Sequence, residues 1–579
     1  VDERPLALAI EEIGLLAPGQ SPRQARAAGE PPAILARRDA LRLTASGSYL
    51  VPLAVPRDAE ALSVSVETKG RGARVRASLV TIEGNEETAF LATDGRQRID
   101  LADHRGRDIT LVFDVDLPRR GHIDLIFPRL ETSTATPDTP QTVTGGARST
   151  PSERPDIVLV VLDAARADHF GAYGYSRDTS PEIDRLADRS LVFRDVLAEC
   201  PYTACSMPNL LAGLSFPQHG VVAHGLQLAD RVDTLAEVLS QVGYRTLGIT
   251  GNPNSSRLTG SDQGFDEFLE IWRLTSGRDR THPEFLTRLA IDRLEQLDER
   301  PLFLLLHYVP PHEPYDPDPA FDLFGDPDYA GPVIGEQRFV QSIFAREIEL
   351  DEADLQELIA LYDGNLHMAD YWVGRLIETL KRLGRWDNTL FVLTSDHGEA
   401  FDEHGFLGHN DTIHQEMLHV PLILRLPADE RPEGADLERL ASLGDVVPTI
   451  LARLDRPTPV GAQGTDLLAP PTVAAADHLV VLRSAHEAGV LYGVRTPRFK
   501  LLAREPASWD PGGFQLFDLV TDPGETQDLA PQRRLLQATL ALRLERALQQ
   551  SVTAAEDPEP AAISPEDEEM LRSLGYLNP

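Results

Sequence analysis

The sequence predicts an α/β layer fold through its central part, preceded by a β-rich module and followed by a smaller α+β segment. Three observations carry that expectation. From residue 155 onward, short continuous apolar runs recur, and two of them close on an acid. Between them lie segments whose apolar residues fall three or four positions apart, the spacing of one buried helix face. Upstream, residues 1–135 hold only short, β-branched, partly alternating stretches.

In that first region, Ser63–Thr68, Val75–Thr81 and Ile109–Val115 are strand candidates separated by Gly, Asp and Arg turns. A β-sandwich is the expected form. It carries no chemistry of its own, so a structural appendage is favoured over a binding module. The stretch TSTATPDTPQTVTGGARSTPSER follows, and residues 136–154 are expected to be a linker because it lacks any periodicity. Residues 155–470 contain the apolar runs Ile157–Asp163, Arg245–Gly251, Pro301–Tyr308, Thr389–Asp396 and Val420–Leu426. Runs of this kind suit strands buried on both faces of a parallel sheet. Asp233–Gln241 and Asp370–Leu383 are intervening helices. Residues 471–550 form a C-terminal subdomain with Gly493–Ala503, Phe514–Leu529 and a helix over Arg533–Gln549. Residues 551–579 are an acidic tail in which Pro565–Leu577 forms a short helix.

Bulk properties narrow the function classes. The 579 residues are 42% hydrophobic and 25% charged, an ordinary globular balance. A formal net charge of −36 argues against nucleic acid, whose phosphates need clustered Arg and Lys. It equally disfavours an anionic membrane surface. It does not exclude a small anionic substrate, since a buried metal dominates its local field. No run of 18 apolar residues occurs, so no transmembrane segment is expected. The start at Val1 and the added β-rich module give an extracytoplasmic location, periplasmic or secreted, as the expectation. The two cysteines, Cys200 and Cys205, exclude a disulfide scaffold. Two packed free cysteines are favoured over a small disulfide loop, because a helix after Thr203 would hold their Cα atoms apart.

Chemistry gathers where strands end. Asp163 closes one apolar run, and Asp396 with His397 closes another. Ligands collect at the carboxyl ends of strands in open parallel sheets, so these residues can converge there. Two carboxylates and an imidazole suit a divalent metal. Each alone is weak, since a single Asp after a strand usually caps a turn. A third component is CPYTACSMPNLLAG, Cys200–Gly213, where Met207–Leu214 is expected to be helical with Pro208 in its first turn. Thr203 then lies just before a helix N-terminus, where exposed N–H groups favour an anion. Beside a metal, its hydroxyl could ionise and attack phosphorus or sulfur; otherwise it merely caps the helix.

On these residues the run from Pro155 to about Leu529 resembles the sulfatase family of the alkaline-phosphatase superfamily. IVLVVLDAARADHFGAYGY resembles the family's first strand and metal-ligand turn, and TSDHGEAFDEHGFLGH its second metal-ligand segment. LFDLVTDPGETQDL resembles its C-terminal strand and turn. The family's nucleophile motif, C/S/T-x-P-S-R before L-L-x-G, places the nucleophile on Thr203 when counted back from Leu210–Gly213. The resemblance implies a sulfatase-like α/β sandwich, with Asp163, Thr203, Asp396 and His397 as metal ligands. It matches His312, in HYVPPHEPYDP, to the family histidine near the leaving group, and His409 to a later lysine position. His312 is thus the expected general acid and His409 an anion binder or proton donor. Asn252 and Asn254 occupy the place of a Lys-x-His anion clamp, offering amide hydrogen bonds without charge. His307, His404 and His414 are weaker candidates.

Departures from the family decide the mechanism. Thr203 cannot become formylglycine, and Cys205 and Met207 replace the motif's Pro and Arg. Ala164 replaces the second acid of the usual Asp-Asp pair, which removes one ligand. One metal is therefore expected. His397 favours Zn²⁺ or Mn²⁺, with Ca²⁺ and Mg²⁺ as alternatives. The expected activity is hydrolysis of a sulfuric or phosphoric ester through a covalent Thr203 intermediate, with Thr tilting the balance toward phosphorus. The substrate would be a small-molecule, glycan-linked or lipid-linked anionic ester. Rival readings are a head-group transferase of the same superfamily and a non-catalytic binding protein on this fold.

Overall fold

The computed structural model of the chain describes residues 2–5, 14–16, 34–37, 40–43, 47–55, 59–69, 73–92, 95–117, 122–132, 154–470, 478–486, 489–504, 513–552, 558–574 and 576. Of the expected linker, only Arg154 is among them. The chain divides into two compact units. One comprises Val1–Gly146, Pro471–Val481 and Gly489–Leu548; the other comprises Ala147–Pro470, Leu482–Ala488 and Gln549–Pro579. The β-rich module and most of the C-terminal subdomain thus share a unit, although the sequence sets them far apart.

Among its described residues, the first unit contains two large antiparallel sheets packed face to face and a third, smaller one. One large sheet runs Ile34–Arg37, Ala40–Leu43, His122–Thr132, Ala59–Lys69, Gly95–Asp100; the other Gly14–Leu16, Gly47–Ala54, Asp108–Asp116, Arg74–Thr81, Glu86–Ala92. Alternating apolar residues of both sheets, such as Val64, Ile99 and Leu125 with Val51, Leu79 and Leu111, meet in one core. That is sandwich packing, in which each sheet hides one face against the other. The other face of the second sheet presents Leu50, Val80 and Val112 to Ala538 of the helix Arg534–Val552. Strands Gly489–Arg495, Phe499–Arg504 and Phe514–Asp518 pair antiparallel, and Lys500 forms a fully buried ion pair with Glu525 at 2.8 Å.

The second unit is built on a seven-stranded sheet. In chain order its strands are β1 (Asp156–Leu162), β2 (Leu191–Phe193), β3 (Arg245–Thr250), β4 (Glu267–Glu270), β5 (Leu302–Tyr308), β6 (Thr389–Ser395) and β7 (Leu422–Arg425), arranged β2-β7-β6-β1-β5-β3-β4. Every residue of β1, β5 and β6 is buried, as expected for strands covered on both faces. The pairs β1–β5, β1–β6, β3–β5 and β3–β4 are parallel, whereas β7 is antiparallel to both β6 and β2. The expectation of an all-parallel sheet fails at this edge for a physical reason. After β6 the chain doubles back, Gly398 N–H donating to Met417 and Glu399 N–H to Glu416. With no crossover helix, the next strand must return in the opposite direction.

Helices cover the sheet. They include α1 (Pro181–Ala187), α2 (Thr203–Ala212), α3 (Leu235–Gln241), α4 (Pro283–Leu294), α5 (Glu352–Arg382) and α6 (Pro565–Ser573). The α3 start is a capping box: Thr234 accepts from the Glu237 backbone while the Glu237 side chain accepts from Thr234 N–H. Helix α5 begins well before the expected Asp370, because Asp351 caps it and its apolar face continues through Leu358 and Leu366. Helix α2 begins at Thr203 rather than near Met207, so Pro208 sits inside it and not in its first turn.

Candidate active site

Register brings the chemistry together. In the parallel ladder Leu162 lies beside Tyr308 and Ser395, so Asp163, Val309 and Asp396 leave the sheet at one level. Asp163 N–H donates to the Tyr308 carbonyl and His312 N–H to the Asp163 carbonyl, which locks the ends of β1 and β5 together. Ala164 follows with φ +58°, a left-handed turn, and its N–H donates to Asp396 Oδ1 at 3.2 Å. The position that lost a carboxylate therefore still serves the site through its backbone.

Asp163, Asp396 and His397 converge, all fully buried. His397 Nε2 lies 3.5 Å from Asp163 Oδ1 and 3.7 Å from Asp396 Oδ2. Its Nδ1 lies 2.8 Å from the Gly398 carbonyl, which takes the ring proton and leaves Nε2 free to ligate. His307, a weaker candidate by sequence, joins this group: its Nε2 is 3.4 Å from Asp163 Oδ2 and 3.9 Å from Asp396 Oδ2. Asp163, His307 and Asp396 bring ligand-capable atoms within 4.8 Å of one another. Asp163 Oδ1, Asp396 Oδ2 and both His307 ring nitrogens make no hydrogen bond. Two buried carboxylates with free lone pairs aimed at one point fit a divalent cation, since buried charge needs a partner. Burial pushes the Asp163 carboxyl up, but His312, His307 and His397 outweigh it and hold the group below the usual carboxylate range.

Thr203 opens α2 and is fully buried. Tyr202, not Thr203, is the N-cap residue, and Thr203 Oγ1 turns into the cluster. It lies 3.4 Å from His397 Nε2 and 3.3 Å from Asn252 Nδ2. Asn252 also donates to Asp163 Oδ2 and, at 2.7 Å, to the Tyr576 hydroxyl. Asn254 points elsewhere; its Oδ1 meets His224 Nδ1 at 3.1 Å. The structure joins Cys200 and Cys205 in a disulfide around this turn, with Cα atoms 5.9 Å apart. The reading of two free cysteines is thereby corrected: the turn into α2 brings the Cα atoms within disulfide reach. A thiol count on unfolded, non-reduced protein is expected to find none, and two after reduction; two without reductant would refute the bridge.

A second cluster flanks the first. His312, Glu313 and His409 bring ligand-capable atoms within 4.8 Å of one another, so two groups here are able to hold a metal where the sequence pointed to one. His312 Nδ1 contacts the Glu313 carbonyl at 2.8 Å and Oε2 at 3.1 Å. Burial pulls the His312 imidazole down, yet Glu313, Asp163 and Glu399 raise it to about 9. His409 lies 3.2 Å from Glu399 Oε1, and burial beside His312 drops it to about 3. The two histidines thus differ in charge at neutral pH: His312 is cationic and His409 neutral. Burial lifts Glu399 to about 7, while Tyr315 donates to its other oxygen at 2.9 Å. His404 and His414 stack on each other at 3.7 Å, and His404 pairs with Glu416.

Sequence reasoning ranked His307 too low and passed over Glu313, Glu399 and Tyr576. Glu313 and Glu399 had a signal, since Glu313 follows His312 and Glu399 lies in SDHGE. Tyr576 had none, because only the fold returns the far C-terminus to this point.

Comparison with known proteins agrees with this geometry. The sulfatase family profile matches residues 155–455, just over half of the chain. The chain is 23% identical to an arylsulfatase of Clostridium perfringens over 442 residues, covering 65% of this chain and 90% of that protein. It is 26% identical to a multifunctional alkaline phosphatase superfamily protein of Trinickia caryophylli over 396 residues, covering 54% and 76% respectively. The fold is shared with the crystal structure of a phosphonate monoester hydrolase of Agrobacterium radiobacter, at TM-score 0.56 and 22% identity, over 69% of this chain and 96% of that one. With that profile match and its buried metal-binding cluster, the chain belongs to the sulfatase family within the alkaline-phosphatase superfamily, as a metal-dependent hydrolase of sulfate or phosphate esters.

Proposed function

We propose that this enzyme cleaves phosphate or phosphonate esters in preference to sulfate esters, through a covalent ester on Thr203. One observation carries the reading: a threonine hydroxyl, at a helix start and with no capping duty of its own, meets His397 and Asn252, the side chains that lie against Asp163 and Asp396. Asp163, Thr203, Asp396 and His397, with His307, would hold one divalent ion, and the mixed N/O donors favour Zn²⁺ or Mn²⁺. When bound there, such an ion supplies positive charge that favours loss of the Thr203 proton and offsets charge on the acid group.

The chain's own residues account for the remainder. Thr203 Oγ1, its proton released to solvent, attacks phosphorus in line, its new O–P bond forming as the bond to the alcohol oxygen breaks. His312, pulled down by burial but raised to about 9 by Glu313, Asp163 and Glu399, gives its Nε2 proton to the departing oxygen. Asn252 donates to the acid group, and neutral His409 offers an uncharged donor beside it. Water then gives a proton to His312, left neutral by the first step, and attacks phosphorus as the Thr203 O–P bond breaks, which restores the starting state. Phosphorus is favoured because a threonine sulfate must be hydrolysed at sulfur, whereas a formylglycine hydrate can expel sulfate by breaking its own C–O bond. The activities in the relatives' names, arylsulfatase and phosphonate monoester hydrolase, bracket this range. The disulfide supports a location outside the cytoplasm.

The test is a side-by-side assay of aryl phosphate, aryl phosphonate and aryl sulfate with metal analysis of the same protein. A phosphorus ester is expected to be turned over fastest. Sulfate leading both would overturn the preference, and no turnover of any by metal-loaded protein would overturn the hydrolytic reading. Because His312 acts in its protonated form, kcat is expected to fall as pH rises through the pKa of that group, which, despite burial, Glu313 and Glu399 hold above the ordinary imidazole value. A His312→Asn protein should lose that limb along with about 100-fold or more in rate.

A further inference from the structure

The C-terminal segment brings a side chain into this site that the catalytic scheme has not used. Helix α6 is capped by Ser564, whose hydroxyl accepts from Asp567 N–H. Met570, Leu571 and Leu574 are buried against Leu258, Trp272 and Val309 of the same unit. Arg273 pairs with Glu566 at 3.1 Å and with Asp567, and Arg280 with Glu569 at 3.0 Å. Just upstream, Glu559–Pro560 pairs antiparallel with Leu226–Gln227. These ties place Tyr576 with 9% of its surface exposed and its hydroxyl among the reacting groups. The hydroxyl is 2.7 Å from Asn252 Nδ2, 3.0 Å from His312 Nε2 and 3.4 Å from Thr203 Oγ1.

We infer that Tyr576 is a substrate-binding residue, its phenol O–H donating to the acid group of the ester undergoing attack at Thr203. This rests on the hydrolytic reading and extends it. The hydroxyl touches the nucleophile, the proton donor and the amide donor at once, so an acid-group oxygen approaching Thr203 must meet it. Asn252 carries no charge, and Tyr576 adds a second neutral donor on the same side. In the substrate-free structure these donors and acceptors satisfy one another; an arriving oxygen takes over contacts that are already aligned, which is preorganisation. The rival role is obstruction, in which the phenol simply fills the substrate's seat. The packing argues against it. Withdrawing the segment would expose Met570, Leu571 and Leu574 to water, so α6 is built as a wall of the unit and not as a loosely held plug.

Full-length, metal-loaded Tyr576→Phe protein tests this, with inorganic phosphate and orthovanadate as probes. The KM for the best ester and the inhibition constants of both oxyanions are expected to rise about tenfold, the loss of one hydrogen bond to a charged group. Unchanged or lower values would overturn the inference, and a rise in kcat/KM would assign Tyr576 to obstruction. Arg273→Gln provides a second variant that loosens α6 without entering the site. It should raise KM in the same direction, whereas a higher kcat/KM would overturn the inference. Calorimetric binding of phosphate to both proteins reads the same donor without turnover. Wild-type protein that binds phosphate more tightly than Tyr576→Phe but hydrolyses nothing would therefore sink the hydrolytic reading alone.

Discussion

Thr203→Ala protein is expected to lose turnover by about 10⁴-fold or more while keeping its fold and its metal. The hydroxyl makes only contacts of 3.3–3.4 Å, to Asn252, His397 and Tyr576, so its removal leaves no buried strong hydrogen bond broken. A loss of about 1 kcal/mol in stability is the scale to expect. The backbone of α2 is unaffected, since its start depends on Tyr202 and its packing, not on the Thr203 side chain. Thr203→Ser should retain most activity, because it keeps the oxygen. Initial rates, circular dichroism and metal content measured on the same preparations check this. Undiminished, metal-dependent hydrolysis by the alanine protein would remove Thr203 from the chemistry and with it the covalent intermediate.

Asp396→Asn is expected to have the second-largest effect, and it separates metal binding from folding. The asparagine Oδ1 can still accept from Ala164 N–H and His397 N–H, as Asp396 Oδ1 does at 3.2 and 3.0 Å. What disappears is the charge facing Asp163 across the cluster. Metal affinity should fall by more than the 10–100-fold that losing an outer partner of a metal ligand costs, and turnover by about 10³-fold or more. Stability should respond with opposite signs in the two states. An ion present at about 100 times its Kd adds about 2.7 kcal/mol to the wild type, which a chelator removes. Without metal, the variant should melt at or above the wild type, because one of two buried carboxylates is gone. Elemental analysis and thermal melts with and without chelator read both effects. A variant that keeps its metal and its rate would exclude Asp396 as a ligand.

Some of this was written in local sequence. IVLVVLD and TLFVLTSD become fully buried strands because their central residues are a continuous apolar run, and their closing acids fall where that run ends. The capping pair Thr234 and Glu237 and the short final helix at Pro565 follow from nearest neighbours alone. The family motifs pointed to the family despite the missing Pro and Arg.

Other features depend on contacts between residues far apart in the chain. The direction of β7 depends on how the chain returns after Asp396, and an apolar run looks the same in either direction. The start of α2 was misplaced because Pro208 looks like a first-turn residue locally, while the fold continues the helix back to Thr203. The Cys200–Cys205 bridge depends on a Cα separation that spacing does not reveal. His307 becomes a ligand candidate only because β5 lies beside β1, which sets its ring next to Asp163. The shifts of His312 and His409 run in opposite directions although Glu313 and Asp163 act on both, because burial and the adjacent His312 and His397 outweigh those carboxylates at His409. The sequence by itself determined the family, the acids at the strand ends and a threonine in the segment that leads into α2, all set by local pattern. The tertiary structure alone decided which groups surround that threonine, including Tyr576 from the far end of the chain, because hydrogen bonding and electrostatics act through space over a few ångströms.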